Sequence, residues 1–325
     1  MKFRLPAAWL CAFASLGTMA GAVLAADYPD RPIRMLVPAA PGGGADFVAR
    51  ILGAKLTESM GQSVVVENRA GASGTIAADN AAKSAADGYT LLMGQSTSMV
   101  IAPQLYKKLG YDTLRDLAPV TLVAQVPNIL VVNPGVSATS VRELVALAKA
   151  QPDLLNFGSS GNGAPSHLAG EMFKSATGVK MVHVPYKGAG LAVNGLLAGE
   201  IQVMFAPIVA VLAQVKAGRL RALAVTSAAR SAAAPELPTL AESGLPGYEI
   251  SSWFGLFAPA NTPAPVIDRL YRETAKALQL AEVRERFAKE GAEPVGSSPA
   301  DFTGYVRAEF AKYTKIVRDT GIKAD

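Results

Sequence analysis

Apolar positions along the chain follow two rhythms. Short runs rich in Val, Ile and Leu give way to glycine- or serine-rich breaks, and these lead into segments whose apolar residues recur three and four apart. The first such unit covers residues 33–50. An apolar run over 33–37 reads as a strand, Pro38 breaks it, and Gly42, Gly43 and Gly44 form a loop. Apolar residues at 47, 48, 51, 52 and 56 then mark one face of a helix.

The unit recurs. A strand over 63–67, a turn over 68–74 and a helix over 75–84 come next, then a strand over 89–93, a polar loop over 94–98 and a short helix over 103–108. From Ser137 the alternation resumes with a helix over 140–150, a strand over 155–157 and a glycine-serine loop over 158–167. Pro165 suits a first helical position, and Leu168, Ala169, Met172 and Phe173 form that helix's apolar stripe. Strands over 180–184, 201–205 and 220–225 alternate with helices over 189–198 and 209–217. This alternation predicts mainly parallel sheets covered on both faces, with ligands beyond the carboxyl ends of strands.

Two places break the rhythm. Residues 120–126 and 128–132 are strand-like runs separated only by Pro127, too close for a standard crossover, and they predict a passage between lobes. A Pro-, Ala- and Ser-rich stretch over 227–247 leads to a strand-like run over 248–257, the predicted return passage. Helices over 263–278, 281–290 and 299–320 complete the chain, with Pro265 and Pro299 near helix starts. The expected fold is α/β, with two lobes joined by two crossover strands around a cleft. Lobe 1 is discontinuous, 26–126 plus 248–325, and lobe 2 covers 127–247.

Composition adds a compartment. Lys2 and Arg4 precede an uncharged stretch over 5–26 that ends in small residues before Asp27. This reads as a secretory signal peptide over 1–25, cut after Ala25 or Ala26; an uncleaved anchor is the alternative, and the small-residue exit favours cleavage. Cys11, the only cysteine, lies inside that leader, so the exported chain has neither disulfides nor a catalytic thiol. Loss of Lys2 and Arg4 lowers the formal charge from +5 to +3, spread without a basic cluster, which argues against a nucleic-acid partner. The expected product is a soluble periplasmic protein of about 300 residues, enough for two domains.

The chemistry expected is binding. Residues 94–98 lack the final glycine of Gly-x-Ser-x-Gly, and His167 and His183 are the only histidines. His183, in an alternating run, reads as structural. His167, at a helix start beside Ser166, is either a ligand contact or a capping and packing residue. An exported hydrolase using Ser96 or Ser160 with His167 is the competing reading. Neither a metal nor a cofactor is expected: no His-x-x-x-His pairing exists, Phe47 occupies the last small position of a dinucleotide fingerprint, and no Gly-Lys-Ser/Thr follows the loop. Because residues 38–45 hold no Arg or Lys, an anion there would rest on backbone donors. Two helix starts, one per lobe, would grip a small dianion, with hydroxyls of Ser96, Thr97, Ser160 and Ser166 orienting it and waters completing its hydrogen bonds. Tyr186, Lys187, Trp253 and Phe254 are secondary candidates for the cleft.

Several spaced motifs share one pattern: Tyr28-Pro29-x-Arg31-Pro32-Ile33, Val37-Pro38 through Gly44, Val66-Glu67-Asn68-Arg69-x-Gly71-Ala72, Asp87-Gly88-Tyr89-Thr90, Val184-Pro185-Tyr186-Lys187-Gly188 and Arg221 through Ser227. Together they resemble the Bug family, also called TctC, the periplasmic solute-binding proteins of tripartite tricarboxylate transporters. The resemblance implies a type 2 periplasmic binding fold and a monomer. It also implies a small carboxylate ligand, a di- or tricarboxylate or other organic acid, delivered to a membrane permease of one large and one small subunit. A sensing role toward a two-component system is the alternative. Carried onto this chain, the implied pocket comprises Pro41, Gly42, Gly43, Gly44, Ala45 and Asp46 from one lobe. Ser159, Ser160, Gly161, Ser166 and His167 come from the other, and Ser96 and Thr97 from a further polar loop. One departure is notable: many relatives carry Met-Phe-Asp where this chain has Met204-Phe205-Ala206, which argues against an amino-acid ligand.

Overall fold

The computed structural model describes residues 28–322. The expected signal peptide and Cys11 lie outside the described residues.

The opening unit forms as its pattern predicts. β1 (Ile33–Val37) leads through the glycine loop to α1 (Gly44–Met60), followed by β2 (Val64–Asn68), α2 (Thr75–Ala82) and β3 (Thr90–Gln95). β1 pairs in parallel with both neighbours, placing Met35 opposite Val66 and Leu91. α1 lays Val48, Ile51, Leu52 and Leu56 against the sheet, and each such buried aliphatic contributes about 1.5–3 kcal/mol.

After β3 the backbone departs from expectation. Helical structure begins at once, as a π-helical turn over Thr97–Ile101 that runs into α3 (Ala102–Leu105), in place of a polar loop and a helix over 103–108. The three hydroxyl residues Ser96, Thr97 and Ser98 suggested a loop, but distant side chains satisfy the turn's carbonyls. The Tyr111 hydroxyl donates to Ser98 O and the Thr113 hydroxyl to Met99 O, at 2.7 Å in the second case. Such π turns concentrate at functional sites.

A short α4 (Thr113–Asp116) precedes β4 (Leu117–Val132), a single strand of 16 residues where the sequence suggested two. Pro127 does not interrupt it because the strand changes partners there. Residues 117–127 pair with β9 (Ser251–Pro259), and from Asn128 onward the partners are β7 (Val203–Pro207) and β8 (Arg221–Val225). A residue without an N–H is tolerated at that junction. The second half also contains α5 (Val141–Ala150), β5 (Asn156–Ser159), α6 (Pro165–Thr177), β6 (Val182–Pro185), α7 (Ala189–Ala198) and α8 (Ile208–Lys216). Beyond β9 come α9 (Ala264–Gln279), α10 (Ala281–Lys289), the two-residue β10 (Glu293–Pro294) and α11 (Pro299–Thr320).

The strand order is β2-β1-β3-β9-β4-β7-β5-β6, with β8 and β10 also on β4. Parallel pairing dominates both flanks, and the antiparallel strands β9 and β4 lie between them. One apolar cluster runs through both halves, from Leu36 and Met99 to Phe157 and Phe205, joined by Trp253 and Tyr313. α11 supplies Tyr313 and packs on β4, the π turn and α6 together. Where the chain returns to the first half, Ile250 N–H donates to Thr226 O at 3.0 Å and Thr226 N–H to Asn128 O at 2.9 Å, tying the return to β4.

Candidate functional site

The carboxyl ends of β1, β2 and β3 bring three loops together. Gly74 makes this possible: at φ 85 it sits so close to its neighbours that an added Cβ would lie 2.8 Å from Pro38 Cβ and 3.1 Å from Ser98 Cβ. The turn before it is strained, with Ala72 at φ 45 and Ser73 at φ 55, a left-handed backbone uncommon for residues other than glycine. Across from these loops lies the loop between β5 and α6. A cavity of about 350 Å³ separates them. Ser73, Thr97 and Tyr106 line it from the first half, and Ser160, Gly161 and Asn162 from the second. Ile101, Ala102 and Leu105 face it from the π turn and α3, with Ala164 and Pro165 opposite. None of the described lining residues carries a formal charge.

Of the residues expected in the pocket, Thr97, Ser160 and Gly161 line this cavity, and the others support the loops around it. In the first glycine loop, Pro41, Gly42 and Gly44 are exposed, Gly43 is half-buried, and Ala45 and Asp46 are buried. The Asp46 carboxylate accepts from Gly42 N–H, from Arg50 Nε and from Asn68 Nδ2, each at 2.9 Å. Burial pushes its pKa up, but the hydrogen bonds from Arg50, Gly42 and Asn68 outweigh burial and hold the carboxyl below its ordinary value. Asn68, the last residue of β2, also donates to Ala39 O at 3.0 Å, so the loops after β1 and β2 form one network.

In the second loop, neutral side chains do the same work. Ser166 Oγ accepts from Ser160 N–H and shares a hydrogen bond with Ser160 Oγ, both at 3.0 Å. Ser159 Oγ accepts from Gly161 N–H at 3.2 Å, and His167 Nδ1 accepts from Gly163 N–H at 3.1 Å. Ala164 N–H donates to Gly161 O at 3.2 Å. The amides of Ser160, Gly161, Gly163 and Ala164 are therefore engaged within the loop, and Ser160 and Asn162 are its polar residues among those that line the cavity.

His167 is buried and its ring stacks on His183 at a centroid distance of 3.8 Å, while His183 stacks in turn on Phe157 at 4.8 Å. Burial, reinforced by the Lys174 ammonium, holds His183 down at about 4, so it is neutral at pH 7. The serine that meets it is Ser159, Oγ to Nε2 2.7 Å, and that serine is fully buried. Ser96 is also buried, and Ser160 pairs with another serine. No group of three or more residues suited to hold a metal occurs among the described residues.

The secondary candidates fall outside the lining. The Tyr186 hydroxyl donates to Glu200 at 3.2 Å and Lys187 is exposed. Trp253 is fully buried with its indole N–H on Glu309, and Phe254 packs under Gly44. Ala206 is fully buried in an apolar cluster with Ile129 and Leu196, away from the cavity lining. Sequence reasoning missed Ser73, Ile101, Ala102, Leu105 and Tyr106. The signal for Ser73 was present, since the turn after β2 is also the carboxyl end of a parallel strand.

Two α/β halves sharing a strand, with convergent loops around a polar cavity, define a two-lobed solute-binding protein. Residues 48–322 match the family model TctC, "Tripartite tricarboxylate transporter family receptor", and the chain belongs to that family. It is 42% identical over 312 residues to Protein BugT of Bordetella pertussis, covering 96% of each chain. Among solved structures it is similar to an R. palustris protein determined with adipate, at 39% identity and a TM-score of 0.78, covering 91% of this chain and 99% of that one. It is also similar to MatC from Rhodopseudomonas palustris with bound malate, at 31% identity and a TM-score of 0.73, covering 89% and 100%. These relatives place the α/β fold in the class of the type 2 periplasmic binding proteins. No described helix is long and apolar enough to cross a membrane.

Proposed function

We propose that this chain is a periplasmic receptor that captures a small carboxylate in the cavity between its two halves. It then delivers the ligand, chemically unchanged, to the permease subunits of a tripartite tricarboxylate transporter. The observation that carries this reading is the uncharged cavity lined by the hydroxyls of Ser73, Thr97, Tyr106 and Ser160, on a scaffold whose relatives hold adipate and malate. Hydroxyls and an amide can donate to a carboxylate without the desolvation that a buried countercharge would require, and bridging waters complete the contacts.

In this reading lobe 1 comprises residues 26–126 and 248–325 and lobe 2 residues 127–247, and the partner change at Pro127 supports the first boundary. Thr97, Ser160 and Gly161 touch the ligand. Asp46, Ser159, Ser166 and His167 act on it by fixing the loops, and Pro41 through Ala45 close over it. The receptor works as a monomer, without metal, cofactor or catalysis.

A thermal-shift screen of organic acids tests the proposal. A ligand at a hundred times its dissociation constant adds about 2.7 kcal/mol to the folded state, which registers as a rise of a few degrees. Equilibrium dialysis should return the acid intact. Thr97→Val and Ser160→Ala should each weaken binding about tenfold, the value of one hydrogen bond. Unchanged affinity in both variants, or conversion of the acid, would count against the proposal.

A further inference from the structure

The cavity contains a polar pair that neither the two-loop clamp nor the family resemblance assigns. Ser73 Oγ and Tyr106 Oη lie 3.2 Å apart and both line the cavity. Two hydroxyls that share one hydrogen bond have two protons and use one between them, so the pair always has an O–H left to donate. It also keeps lone pairs for a ligand hydroxyl. The pair can therefore meet an oxygen function without either residue changing charge.

Both members are held in place. Ser73 keeps its left-handed backbone because the turn is closed by Gly74 N–H on Gly71 O at 2.8 Å, and by the Thr75 hydroxyl on Ala72 O at 2.9 Å. Gly74 is itself wedged between Pro38 and Ser98. Tyr106 directly follows α3, whose last turn Tyr106 N–H closes on Ala102 O at 3.0 Å. Strain of this kind at a cavity wall marks a position that the surrounding structure over-determines. The same segment presents Ile101, Ala102 and Leu105 to the cavity, an apolar surface suited to methylene groups. With no formal charge among the described lining residues, a ligand ammonium would lose its hydration without gaining a counterion.

We propose that Ser73 and Tyr106 form a specificity-determining pair that recognises a second oxygen function on the ligand. The site then selects aliphatic acids with two oxygen-bearing ends, such as α,ω-dicarboxylates, over monocarboxylates of equal length and over amino acids. This rests on the carboxylate reading above and assigns its selectivity.

Isothermal titration of the exported chain with succinate, adipate and suberate, each against the monocarboxylate of the same carbon number, tests it. The wild type should favour the dicarboxylate of the best-binding length by tenfold or more. Tyr106→Phe should cut that ratio about tenfold, by weakening the dicarboxylate while the monocarboxylate changes less than twofold. Ser73→Gly, which removes the hydroxyl and suits the left-handed backbone, should do the same. An unchanged ratio in both variants, or equal weakening of both acids, would overturn the pair's role and leave the carboxylate reading standing. A wild type that binds no acid of either series, and none in the wider screen, would overturn the carboxylate reading and the pair's role together.

Discussion

The loops before α1 and α6 begin from the same plan and satisfy it with opposite chemistry. Each follows a parallel strand, runs through glycines and opens a helix whose first turn has amides to satisfy. The α1 loop answers with its own anion, Asp46, which binds Gly42 N–H and is balanced by Arg50. Ser159, Ser166 and His167 serve the α6 loop without any formal charge. The α1 helix start thus holds an internal charge pair, whereas the α6 start is held by neutral acceptors alone. The α6 loop contributes two polar residues, Ser160 and Asn162, to the cavity lining, and the α1 loop none.

The largest effect should come from removing the internal anion. Asp46→Ala strands the Gly42 and Asn68 donors and the Arg50 charge, and should lower unfolding free energy by about 2–3 kcal/mol in urea titration. Ser166→Ala removes one neutral acceptor, from Ser160 N–H, and should cost about 1 kcal/mol. Equal losses would erase the contrast.

A smaller contrast separates two left-handed glycines. Gly42, at φ 80, has no atom within 4 Å of an added Cβ, so Gly42→Ala should cost only the backbone strain of about 1–2 kcal/mol. Gly163, at φ 69, would push its Cβ to 2.7 Å from Leu105 Cδ1, where the two walls of the cavity meet. Gly163→Ala should therefore add a loss of ligand affinity that Gly42→Ala lacks, measured by titration calorimetry. Similar affinities in the two variants would show that Leu105 yields freely.

The smallest effect is in pH. Because His183 is held at about 4, below the ordinary histidine value of about 6.5, the unfolded chain binds its proton first as pH falls. Its stability contribution is complete above about pH 6.5 and declines toward pH 4, and solvent screening keeps it small because His183 is only half-buried. Asp46, whose pKa is lowered, contributes above the unfolded carboxyl value of about 3.9 and loses its contribution only as pH drops through the folded value. Between pH 6.5 and 4, His183→Gln should therefore flatten the stability profile while Asp46→Asn leaves its slope unchanged.

The elements that were legible in the sequence are those whose structure is local. The strand, glycine loop and helix over 33–60, the Pro165 helix start and the 299–320 helix need only periodicity and punctuation, and α11 matches its expected bounds. The π turn was hidden because Tyr111 and Thr113, more than ten residues downstream, satisfy its carbonyls. Pro127 suggested a break because its missing donor matters only if a partner strand needs it, and register alone decides that. At the site, the polar loops over 94–98 and 158–167 include Thr97, Ser160 and Gly161, which line the cavity, whereas the glycine loop over 41–46 does not reach the lining. The residues that face it were not visible, because period and spacing do not reveal that Ser159, Ser166 and His167 turn inward to their own backbone while Ser73 and Tyr106 turn outward.

β4 has a mechanical consequence. It belongs to both sheets without a loop or glycine at the junction, and its register shifts against β9 at 119–124 and against β8 at 130–131. Any change of angle between the halves must spread as added twist along this ribbon, concentrated at the bulges where twist is already high. In this geometry β4 is built as a torsion bar and not as a door on a pin.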